Sequence, residues 1–193
     1  MSAPSHTPPA ISAEQRRPAP RRRPRGRSQE RPPAARTAQA ETYRVLGALS
    51  IVTGALHAKA LADHASHYWL FGVFFGILTC WQTGWGARAY RARLSRRALV
   101  TGAWVNVWVV LVWLISRTVG MPIGPWSGEA EAIGVIDAMA SIDELAIAVL
   151  VASLVSTAPR PVLAWLRGGH AVRLGMMLGS ASLFAITIGG HTH

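Results

Sequence analysis

Residues 133–155 read IGVIDAMASIDELAIAVLVASLV, and this stretch decides the fold. Its length is close to the ~20 residues that cross a ~30 Å hydrocarbon core. It also carries Asp137, Asp143 and Glu144 inside an otherwise apolar run. Ionisable side chains in such a segment are costly, so they turn to the interior of a bundle and pair there. A segment of this kind therefore implies neighbours to pair with.

Working outward, four more apolar stretches appear: Val45 to Ala62, Tyr68 to Ala87, Leu99 to Ser116 and Ala171 to Gly190. The first is the weakest, because it contains His57 and Lys59. The expected fold is an all-α integral membrane protein, a bundle of about five transmembrane helices over residues 44–193. A basic tail precedes it. Eight of the 12 prolines lie in residues 1–40 with nine arginines, and residues 1–43 read as disordered. No apolar core of a signal peptide precedes residue 45, so none is expected.

Composition agrees. Half of the 193 residues are hydrophobic and 15% are charged, against roughly a quarter charged in a soluble domain. The net charge of +11 would suggest nucleic acid if taken alone. Its distribution excludes that class: ten of the 20 Lys and Arg lie in the first 44 residues and five more between Arg88 and Arg97. Apolar runs separate the clusters, as in membrane proteins whose basic loops share one side. The expected partners are the bilayer itself and anionic lipid head groups, drawn to the tail at about 1 kcal/mol per basic residue.

Loop charge also predicts orientation. The tail, the Arg88–Arg97 loop and the loop with Arg160 and Arg167 are basic, whereas the other two connections carry Asp63, Glu129 and Glu131. This predicts a plasma-membrane protein with its N-terminus cytoplasmic and its C-terminus outside. Tyr43, Trp81, Trp85 and Trp104 then fall near the inner interface, and Tyr68, Trp69, Trp113 and Trp126 near the outer one. Gly72 with Gly76, and Gly175 with Gly179, have the spacing of close-packing helix faces.

Placed on this topology, the ionisable residues are unevenly distributed. Six of the nine acidic residues and five of the seven histidines fall in the outer half. His57 and His64 are seven apart, as are Asp137 and Glu144, so each pair shares a helix face. The economical arrangement sets His57, His64, Asp137 and Glu144 face to face, with Arg117 and Asp137 as a structural ion pair. His67 lies close by, and His191 and His193 end the chain. The segment with Pro122, Gly124 and Pro125 is broken into turns. It is expected to fold over the outer mouth as a cap, with Glu129 and Glu131 at the approach.

Imidazoles with carboxylates and no thiolate partner suit a transition metal such as copper. The metal-ligand candidates are His57, His64, His67, Asp137, Glu144, His191 and His193. Two alternatives stand beside metal binding. One is a structural or accessory subunit bound to a membrane-protein partner. The other is a haem- or proton-linked redox protein. No Walker motif, nucleophile elbow or dinucleotide fingerprint is present, so a non-enzymatic role is favoured. The stretch His57 to Gln82, with Ser116-Arg117-Thr118, Pro122, Gly124-Pro125, Glu131, Gly134 and Asp137, resembles an uncharacterised group of small multi-pass membrane proteins of high-GC Gram-positive bacteria. The resemblance covers residues 45–155 and implies a plasma-membrane location.

Overall fold

The computed structural model describes residues 33–156 and 170–189, all within the larger of two compact units, residues 32–193. The smaller unit, residues 1–31, lies outside the described residues. The described residues form five helices and no strand: α1 Pro33–His64, α2 Trp69–Arg91, α3 Arg96–Thr118, α4 Val135–Val155 and α5 Ala171–Gly189. Three segments are long and apolar enough to cross a membrane: Thr37–His64, Arg96–Thr118 and Val135–Val155. At 23 residues α2 is long enough, but Trp81, Gln82, Thr83, Gly84 and Gly86 dilute its apolar character.

The first helix begins well before the expected Val45. Residues 33–43, read from sequence as disordered, are helical. Pro33 opens the helix, where its fixed φ and missing N–H cost nothing. Alanines and other good helix formers follow and extend the helix backwards. α3 starts where Ser95 Oγ accepts a hydrogen bond from the Ala98 N–H at 3.2 Å, satisfying one of the helix's free donors.

α1 packs against α2, α4 and α5, and α3 packs against α4. The backbones of α1 and α2 approach closely at Gly47 and Gly86. A Cβ on Gly47 would lie 2.5 Å from the Tyr90 nitrogen, and one on Gly86 2.8 Å from the Gly47 carbonyl oxygen. The glycine spacings singled out from sequence fare unevenly: Gly175 abuts Val45 of α1, whereas a Cβ on Gly76 would meet nothing within 4 Å. A four-residue glycine spacing marks a smooth face but does not say which neighbour arrives there.

Large apolar side chains point away from the bundle on several helices, among them Ile77, Trp104, Leu111, Leu145, Val149 and Phe184. The interior is polar in two places. Near one end, Ser50 Oγ donates to Gln82 Oε1 (2.7 Å), Gln82 Nε2 to Asn106 Oδ1 (2.9 Å), and Asn106 Nδ2 to the Gly102 carbonyl (2.7 Å). All three side chains belong to fully buried residues. This chain of neutral bonds ties α1, α2 and α3 together, and we call its surroundings the amide half. The ionisable residues gather in the other half.

Candidate functional site

The charged half is built from the ends of α1, α3 and α4 and the loop between α3 and α4. Arg117 lies in the last turn of α3 and Asp137 in the first turn of α4. A cation and an anion in those places complement both helix dipoles. Arg117 Nη1 donates to Glu131 Oε2 at 2.5 Å, and Nη2 donates to Asp137 Oδ2 at 2.6 Å. The Arg117 side chain is only 8% exposed. One guanidinium thus joins α3, the loop and α4.

About 10 Å deeper, two helical turns along α4, Glu144 meets α1. His57 Nε2 donates to Glu144 Oε1 at 3.0 Å, and both residues are almost wholly buried. Phe75 of α2 packs beside His57 and His64, with ring centroids 6.1 and 5.2 Å away. Beside Glu144, Asp143 turns the other way and accepts a hydrogen bond from Ser182 of α5 at 2.7 Å. Adjacent carboxylates on α4 therefore hold two different helices.

Between the Arg117 cluster and the His57–Glu144 pair lies a cavity of about 310 Å³. Its wall is chiefly apolar and aromatic, with Phe71, Phe74, Phe75, Trp108 and Trp113 among the lining residues. Met121 and Ile123 of the α3–α4 loop also line it. The loop is closed on itself by Gly128 N–H to Met121 O and pinned to α3 by Glu131 N–H to Ser116 O. Gly120, at φ 79°, makes the first turn, a conformation that favours glycine.

A second hollow, about 400 Å³, is lined by Asp63, His64, His67, Trp126, Glu129 and Glu131 among others. His64 Nδ1 donates to the Ala60 carbonyl and His67 Nδ1 to the Asp63 carbonyl, each at 2.9 Å. Asp63 is bound to Lys59 at 2.7 Å, and Trp126 packs on the His67 ring at 5.7 Å.

The residues singled out from sequence are thus distributed over several contacts. His57 and Glu144 meet directly, and Arg117 meets Asp137. Asp137 binds Arg117, and no hydrogen bond joins it to His57 or His64 among the described residues. His64 borders both cavities, and His67 only the second. Among the described residues, no group of three or more His, Cys, Asp or Glu is arranged to hold a metal ion. His191 and His193 lie outside the described residues, as do Arg160 and Arg167. Pro122, Gly124 and Pro125 lie in the α3–α4 loop, where a Cβ on Gly124 would sit 3.1 Å from the Phe71 ring.

Sequence reasoning placed Glu131 at the approach and missed its bond to Arg117. It also missed the Asp143–Ser182 bond and the part played by Phe75, since none has a distinctive local pattern. Five buried side-chain polar atoms have no hydrogen-bond partner among the described residues. Four belong to the charged half: Arg117 Nε, Trp113 Nε1, Asp143 Oδ1 and Glu144 Oε2. Such atoms cost about 1–3 kcal/mol each when nothing meets them. No protein-family model, curated protein or solved structure matches the chain.

Proposed function

We propose that this chain is a multi-pass plasma-membrane protein that binds a small molecule in a chamber open toward the outer face. All five helices cross the bilayer, with the N-terminus cytoplasmic. The loop charges support this orientation, and the resemblance of residues 45–155 to small bacterial membrane proteins supports the location. One observation carries the binding role: an apolar, aromatic cavity of about 310 Å³ ends on the buried His57–Glu144 pair. Ligand sites are commonly apolar hollows of about 300–1,000 Å³ with few convergent polar groups.

Cysteine accessibility tests the chamber. In a Cys80→Ser background, Ala140→Cys introduces a thiol on the cavity wall and Leu145→Cys one on the outward face of α4. Thiolates, not thiols, react, so a thiol facing lipid stays inert. A methanethiosulfonate ethylammonium reagent added outside intact cells should modify Ala140→Cys and spare Leu145→Cys. Equal rates at the two positions would remove the chamber.

Transition-metal binding at the second hollow is the other reading. It is favoured by the Nδ1 bonds of His64 and His67 to backbone carbonyls. Such bonds orient ligating imidazoles and leave Nε2 available. Elemental analysis of the wild type and a His64→Ala/His67→Ala variant tests it, and equal metal content sinks it.

A further inference from the structure

We infer that the occupant of the chamber is a lipophilic organic cation, an ammonium on an apolar body, whose charge sits against Glu144. This rests on the chamber reading and adds the chemical class of the ligand.

The first support is the free carboxylate oxygen. Glu144 is 1% exposed. Its Oε1 is held by His57, while Oε2 has no partner among the described residues, and the residue lines the cavity. A buried carboxylate oxygen without a donor is expensive. A neighbouring ammonium offers both donors and opposite charge, the strongest complement available to it.

The second support is the charge of the whole cavity. Its lining includes the carboxylates of Glu131, Asp137 and Glu144 against one guanidinium, Arg117. That guanidinium is already committed to Glu131 and Asp137. An anionic ligand would meet a net negative chamber whose single cation is occupied. The adjoining hollow adds Glu129 and Asp63, with Lys59 paired to Asp63, so the approach is acidic as well.

The third support is the wall. Phe75 stands beside His57 at the level of Glu144, and Phe74 packs edge-on to Trp108 at 5.8 Å. Aromatic faces attract ammonium groups within about 6 Å of the ring centroid, more strongly when desolvated. The remaining apolar lining would take the ligand's hydrocarbon. Higher up the chamber, Trp113 Nε1 has no partner among the described residues. An acceptor partway along the ligand, such as a hydroxyl, would suit it.

The test uses the full chain purified in detergent and three probes of one shape: phenylbutylamine, phenylbutanol and phenylbutyrate. Equilibrium dialysis measures saturable binding of each. The amine should bind at one per chain, at least about tenfold more tightly than the alcohol or the acid, a difference of about 1.4 kcal/mol. Glu144→Gln should erase that preference while leaving the alcohol unchanged. Phe75→Leu keeps an apolar wall but removes the ring, and should weaken the amine alone, by about fivefold. It tests the proposal even where Glu144→Gln does not fold. Equal binding of all three probes, or full amine preference in both variants, overturns the cationic ligand and leaves the chamber standing. Absence of saturable binding of any probe overturns both.

Discussion

The two polar regions of the bundle are built on different principles. In the amide half, neutral side chains from three helices hand hydrogen bonds from Ser50 to Gln82 to Asn106 to a backbone carbonyl. In the charged half, ions pair across helices around a cavity, and four of the five buried polar atoms that lack a partner among the described residues occur there. Trp81 Nε1 is the fifth, next to Gln82. A satisfied neutral network needs nothing further and holds helices in register. An ionic cluster with unpartnered polar atoms costs stability, and in a membrane segment it is a candidate functional site. The contrast is why the proposed recognition is placed in the second region and not in the first.

Breaking the charged half at its mouth should have the largest effect on stability. Arg117→Ala leaves Glu131 and Asp137 facing each other without their shared cation. Removing one partner from a largely buried ionic cluster costs about 3 kcal/mol or more. We expect a thermal midpoint several degrees lower in detergent, followed by fluorescence-detected size-exclusion chromatography. Adding Asp137→Asn should recover part of it, because one stranded charge goes. No recovery would show that Arg117 acts through packing alone.

The amide half should respond next most strongly. Gln82→Leu keeps most of the volume but strands Asn106 Oδ1, at about 1–3 kcal/mol. The double change Gln82→Leu/Asn106→Leu should cost less than the sum of the single changes, since both partners leave together. The same midpoint assay over the four proteins of the cycle reads this coupling. Strict additivity would mean that the two amides do not work as a unit.

The smallest stability effect is expected at Glu144→Gln. The amide keeps an acceptor for His57 and removes a buried charge whose second oxygen has no partner among the described residues. We expect a midpoint within about 1 kcal/mol of the wild type, or above it. Paired with the loss of amine preference, that result would separate recognition from stability at one residue. A large destabilisation would instead place Glu144 with Gln82, as a structural group.

Parts of the site were legible because helices impose periodicity. The seven-residue spacing of Asp137 and Glu144 placed them on one face, opposite the likewise spaced His57 and His64. The bond between His57 and Glu144 agrees with that geometry. The partnership of Arg117 with Asp137 followed from their places at adjoining helix ends. The Asp143–Ser182 bond had no such signal, because a serine such as Ser182 resembles any other small residue in an apolar helix. The helical state of residues 33–43 was hidden by the prolines and arginines before them, which outweighed a run of good helix formers.

Sequence by itself determined the helices, their apolar character and the crowding of charge toward one end. These follow from composition and period, which are local and additive along the chain. Only the tertiary structure decided which groups became partners and which were left open. Glu131 and Asp137 compete for one guanidinium, and the geometry of three chain segments gives both a share. The cavity is likewise the volume that four helices and a loop fail to fill. A volume of that kind belongs to no residue, so no residue pattern announces it.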